Sequence, residues 1–178
     1  MNTDYGLSIV KDYPIKGINF IDINGLLEKP ARFAKAVERF CQLITETLGM
    51  LPENTAIISP ESRGFLFGAP VAYKLGLPFL AIRKKGKIPN HPYTFHITNE
   101  YSNYDMEVDG DLLEKFTHYI YIDDILATGQ TLAAVKQALA DKNKKMILAL
   151  HLTAVTDLKW MRDNNPALKD LPIKEVIF

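Results

Sequence analysis

A single cysteine, Cys41, stands among 178 residues. One thiol closes no internal disulfide and builds no cysteine-ligated zinc site, and a reducing, cytoplasmic setting is the expectation. The sequence has no excess of charge of either sign, since 21 basic side chains face 21 acidic ones. That balance removes the general reason to expect a nucleic-acid or acidic-membrane partner. No apolar run approaches the roughly 18 residues of a membrane span. The longest, Met146 to Val155, is interrupted by His151 and Thr153, and Met1 to Leu7 lacks the basic-then-apolar pattern of a secretion signal. His91, His96, His118 and His151 show no metal-binding spacing. Without repeats, low-complexity tracts or a Gly/Ser linker to divide it, residues 1–178 read as one domain.

What is present is the material of a folded core: 47% hydrophobic residues against 24% charged. Phe33, Val37, Phe40, Cys41, Ile44 and Leu48 recur at spacings of three and four, which predicts an amphipathic helix over 32–48. Pro30 sits near its first turn and Gly49 at its stop. Short apolar runs follow at 56–58, 79–82, 119–122, 147–152 and 176–178, separated by helical patterns at 65–74 and 131–142. The runs are nearly continuous, as strands covered by helices on both faces must be. The order predicts a doubly wound α/β domain, a mostly parallel sheet flanked by helices. Two stretches fall outside this alternation: residues 1–28, expected to form an N-terminal flap, and residues 84–110, expected to form a flexible loop. In such a sheet, ligands bind at the carboxyl ends of the strands.

The densest chemistry lies in Tyr119-Ile-Tyr-Ile-Asp-Asp-Ile-Leu-Ala-Thr-Gly-Gln-Thr131. An apolar strand is expected to end at Asp123 and Asp124, whose mutual repulsion calls for a partner such as ribose hydroxyls with a magnesium ion nearby. Ala127, Thr128, Gly129, Gln130 and Thr131 then offer backbone N–H groups and two hydroxyls at a helix start, a cradle for phosphate. The bland alternative, solvated acids and a Thr cap, fits the acids alone less well once the apolar strand and the Thr-Gly-x-Thr run are counted. Glu61-Ser62-Arg63-Gly64 likewise follows a strand and opens a helix, with Arg63 able to donate twice to a phosphate. Arg83, Lys84, Lys85 and Lys87 crowd four cations into five residues directly after another strand. Such a run is often a solvated face, yet here it meets the ligand edge, where cations attract a polyanion and stabilise a departing pyrophosphate. Gly86 and Pro89 suit a hinged lid.

These motifs resemble, in order, those of the type I phosphoribosyltransferases, and of the adenine-specific branch in particular. The Asp-Asp strand and Thr-Gly loop look like the phosphoribosyl pyrophosphate signature. Asp12 to Ile23 is similar to the base-binding segment, Glu61 to Gly68 to the pyrophosphate loop, and Arg83 to Pro89 with Glu100-Tyr101 to the flexible catalytic loop. The resemblance implies transfer of phosphoribose from phosphoribosyl pyrophosphate to adenine, with AMP and pyrophosphate as products. It implies Asp123 and Asp124 on the ribose, residues 127 to 131 on the 5′-phosphate, and Glu61, Ser62, Arg63, Arg83 and Lys87 on the pyrophosphate. Phe20 and Val155 would sandwich the base, the backbone at Asn19 and Ile21 would read its edge, and Glu100 would protonate it. Magnesium would arrive on the substrate with no direct protein ligand, and a homodimer is expected. Lys16, Asn19, Ser102, Gln130 and Ala154 depart from the usual pattern; Asn19 and Ala154 fall near the base. The rival readings are a transferase for another purine such as hypoxanthine and a nucleotide-binding regulator of the same fold without catalysis.

Overall fold

In the computed structural model, which describes residues 5–98 and 103–177, the first strands are β1 (Ser8–Val10) and β2 (Phe20–Asp22), paired antiparallel. The one-turn α1 (Asn24–Leu27) and the long α2 (Pro30–Leu48) follow. The chain then alternates through β3 (Thr55–Pro60), α3 (Arg63–Leu75) and β4 (Phe79–Lys84). After the antiparallel strands β5 (Pro92–Thr98) and β6 (Asn103–Asp109) and the short α4 (Gly110–Glu114) come β7 (His118–Leu126), α5 (Gln130–Asp141), β8 (Lys145–Ala154), α6 (Lys159–Asp163) and β9 (Ile173–Glu175).

Seven strands form one sheet in the order β5-β6-β4-β3-β7-β8-β9. From β4 to β9 every pairing is parallel, and β6 and β5 add an antiparallel edge. The alternation within each strand divides the interior into two cores, as a sheet buried on both faces requires. Ile57, Ile120, Ile122, Leu148 and Leu150 pack with Phe40, Ile44, Phe67 and Val71 of α2 and α3. Ile58, Leu80, Ile82, Tyr119 and Tyr121 pack with Leu132, Val135 and Leu139 of α5. Pro30 occupies the first position of α2, where its missing N–H is no loss, and Gly49 with φ of 63° ends it.

The predicted doubly wound architecture is found, with three local differences. Residues 84–110 are not one irregular loop: most of them build β5 and β6, which extend the sheet. The last strand is β9 at 173–175 rather than 176–178, although Val176 and Ile177 are buried and still donate to the His151 and Leu152 carbonyls at 2.9 and 2.8 Å. Finally, β7 does not end at the aspartates. It stays in register with β8 as far as Leu126, opposite Ala154, whereas its pairing with β3 stops at Tyr121. β3 itself runs on to Pro60 beside β4, so β7 carries Asp123 and Asp124 past the last residue it pairs with on that side.

Candidate functional site

The chain runs from β3 outward to β4 in one direction and from β7 outward to β8 and β9 in the other, so the strand order switches between β3 and β7. A cleft at the carboxyl ends of strands opens at such a point. Two cavities lie there and share Arg63 and Thr131.

The larger, about 440 Å³, is lined by Asn19, Phe20 and Ile21 of the flap segment, by Val155, and by Ala127, Thr128, Gln130 and Thr131. The predicted base-binding residues and, Gly129 apart, the predicted loop residues from Ala127 to Thr131 therefore line one space. Gly129 takes a φ of 83° and forms the N-cap of α5. A Cβ there would meet Leu168 Cδ1 at 2.8 Å, so this position requires glycine. Gln130, in place of the family's second glycine, is the first residue of α5, and its N–H faces the Thr128 hydroxyl at 3.4 Å. Gln130 is among the residues that line the cavity, and its Oε1 is buried without a hydrogen-bond partner among the described residues.

The second cavity, about 330 Å³, is lined by Glu61, Ser62, Arg63, Lys84, Tyr104, Asp123, Asp124 and Thr131. Arg63 lies between the two spaces. It is ion-paired with Asp124, donates to the Ile21 carbonyl at 3.1 Å, and places its guanidinium 4.9 Å from the centre of the Phe20 ring. Asp123 accepts from the Tyr121 hydroxyl and from the Asp124 N–H, both at 2.9 Å. Burial, and then the charge of Asp124, push the Asp123 pKa well up. Gly64 lets α3 approach this pair, since a Cβ there would lie 2.9 Å from the Pro60 ring and 3.0 Å from Asp123 Oδ1.

Glu61 gathers the basic segment. Its carboxylate accepts from the Lys84 N–H at 3.0 Å and pairs with Lys87 at 3.1 Å and Arg83 at 3.5 Å. Burial works against its charge, but the Lys84 N–H and the two cations outweigh it and hold its pKa below the usual carboxylate value. Arg83 and Lys87, both predicted to meet pyrophosphate, thus face Glu61, and Lys85 pairs with Asp105 at 2.8 Å. Of the four cations from Arg83 to Lys87, the one that lines the second cavity, with Arg63, is Lys84. The alternation of β4 carries the signal: Lys84 shares a face with the buried Leu80 and Ile82. Arg162, behind the phosphate loop, gave no signal in the sequence. Glu100, the predicted proton donor, and Ser102 lie outside the described residues. Among the described residues no group of three His, Cys, Asp or Glu is placed to hold a metal ion, and no helix is long and apolar enough to cross a membrane.

A mostly parallel sheet with a Thr-Gly loop after an Asp-Asp strand and a Ser-Arg-Gly turn after its neighbour is the frame of a class of transferases. The family model described as phosphoribosyl transferase domain matches residues 25–167, and the chain belongs to that family. Within it, curated relatives to which the chain is similar include adenine phosphoribosyltransferases. The protein of Petrotoga mobilis is 38% identical over 94% of this chain and 92% of its own, and that of Treponema denticola 33% identical over 98% and 87%. Among solved structures, the adenine phosphoribosyltransferase of Thermoanaerobacter pseudethanolicus superposes with a TM-score of 0.81 at 30% identity, covering 96% of this chain and 94% of that one. The Saccharomyces cerevisiae enzyme, complexed with D-2,5-dideoxy-2,5-imino-altritol 1,6-bisphosphate and adenine, gives 0.82 at 26% identity with the same coverages.

Proposed function

We propose that the chain transfers the phosphoribosyl group of phosphoribosyl pyrophosphate to adenine, giving AMP and pyrophosphate. The observation that carries this reading is the pair of adjoining cavities. One offers an aromatic and an aliphatic wall with a phosphate loop, as a nucleotide needs, and the other offers Lys84, Ser62 and the Arg63 turn, as a departing pyrophosphate needs. The names and coverage of the relatives support it.

In the reaction the bond from C1′ to the pyrophosphate oxygen breaks as the bond to the purine nitrogen forms, through a sugar with oxocarbenium character. Asp123 and Asp124 hold the ribose hydroxyls, and Asp124 exchanges Arg63 for its share of them. The N–H groups of the loop from Ala127 to Thr131 fix the 5′-phosphate. Lys84 and the released Arg63 stabilise charge on the leaving group. Phe20 and Val155 stack on the base, and Glu100 donates a proton to one imidazole nitrogen of the purine while the N–H proton of the other leaves to solvent or pyrophosphate. As that second nitrogen bonds C1′, Glu100 takes its own proton back, so AMP departs with a neutral base and the carboxyl is restored.

Magnesium fits this donor set as a substrate-borne ion, because among the described residues no cluster of carboxylates is placed to hold a metal, Asp123 and Asp124 are committed to the ribose hydroxyls, and Mg²⁺ favours phosphate oxygens and water. Bound there, it neutralises pyrophosphate charge. A cytoplasmic homodimer completes the proposal, on the expectations from cysteine content and family resemblance. The test is a panel of purines offered with phosphoribosyl pyrophosphate and magnesium, with nucleotide formation followed by chromatography. AMP from adenine is expected. Preference for hypoxanthine would reassign the base, and nucleotide from no purine would leave a binding protein.

A further inference from the structure

Arginine is seldom buried without a dedicated partner, yet Arg162 of α6 is only 9% exposed. Its partners are three main-chain carbonyls. Nη1 donates to the oxygens of Ala127 at 2.7 Å and Val155 at 2.8 Å, with Leu126 further off at 3.5 Å. The pairing of β7 with β8 ends at Leu126 opposite Ala154, so Ala127 and Val155 are the first residues past the ladder on adjacent strands. From one the phosphate loop departs, and the other is the wall of the base cavity.

We propose that Arg162 is a positioning residue for the phosphate loop: from behind, its guanidinium pins the two strand exits together and fixes which way the loop peptides face. The proposal rests on the loop's assignment to a phosphate-bearing sugar. Across a planar trans peptide the carbonyl and the following N–H point in opposite directions. Turning the Ala127 carbonyl back onto Arg162 therefore turns the Thr128 N–H away from it. Arg162 lines a separate cavity of about 510 Å³ on the far side, whereas Thr128 lines the ligand cavity. The stem of the side chain also lies under the loop's tightest point, because a Cβ at Gly129 would come within 3.4 Å of Arg162 Cγ. Of the carboxylates that line the rear cavity with it, Asp163 is paired with Lys159 at 2.6 Å, and Glu175 offsets the cost of a buried cation.

The experiment measures ribose 5-phosphate binding by calorimetry, which needs neither a base nor turnover. Arg162→Ala is expected to bind it about tenfold more weakly, a difference of about 1.4 kcal/mol. Low, non-denaturing guanidinium chloride should restore part of that affinity where matched sodium chloride does not. In steady state the KM for phosphoribosyl pyrophosphate should rise by about the same factor, with kcat changed less than about threefold. Arg162→Lys should fall between the alanine variant and the parent. Alanine-variant binding within about twofold of the parent's, or a loss that guanidinium leaves untouched, overturns the proposal. Should the alanine variant not fold, a lysine variant that binds like the parent does the same. A parent protein that makes no AMP yet binds ribose 5-phosphate would remove the transferase reading and leave this one to be judged by the binding data.

Discussion

Asp123 and Asp124 are neighbours in sequence but sit in different chemical surroundings. Asp124 has a cation, whereas Asp123 has a hydroxyl, an N–H and a like charge beside it. A carboxyl whose pKa is raised on folding holds a proton that the unfolded chain gives up. It contributes stability at low pH that is lost as pH climbs from the unfolded value through the folded one. Asp123→Asn should therefore raise the melting midpoint of the ligand-free protein at pH 7, by about 2–4 °C for each kcal/mol gained, and the gain should vanish near pH 3. The same variant should lose productive use of phosphoribosyl pyrophosphate. Equal melting of the two proteins at pH 7 would remove the assigned strain. Lys84→Ala, by contrast, should raise the KM for that substrate about tenfold or more, while Lys85→Ala, whose partner is Asp105, should change it less than about twofold. Steady-state kinetics of the pair decides between them. Lys84 was legible in principle, since counting every second residue from Leu80 reaches it, but a run of cations hides which one faces inward.

At the level of elements, the site was readable wherever chemistry and local structure coincide. The Thr-Gly loop, the turn after β3 and the apolar strands all declare themselves through residue type. The continuation of β7 beyond the aspartates does not, because it depends on how far β8 stays paired with it, a property of the neighbouring strand. The antiparallel strands β5 and β6 are written in a different pattern: Tyr93, Phe95 and Ile97, and Tyr104, Met106 and Val108, alternate with polar residues as half-buried strands do, and a reading that looks for continuous apolar runs does not find them. Gly129 gives an element-scale prediction. Gly129→Ala imposes a left-handed conformation costing about 1–2 kcal/mol and displaces Leu168 as well. The expected result is a lower melting midpoint together with weaker ribose 5-phosphate binding. Gln130→Gly should leave that binding within about threefold, because a helical first position does not demand glycine. Calorimetry and thermal melts on the two variants check both statements.

At the scale of the whole molecule, two cores on opposite faces of one sheet hold β4, β3 and β7 side by side, and the residues that handle charge hang from the ends of these three strands. The ligand-free protein already matches most of these charges among themselves, Arg63 with Asp124 and both Arg83 and Lys87 with Glu61. An incoming polyanion thus takes over partners from resident carboxylates rather than from loosely held salt ions. Such an exchange liberates few small ions from solution, so substrate affinity should respond only weakly to added potassium chloride. Glu61→Gln, which leaves two guests without a host, should make that response steeper.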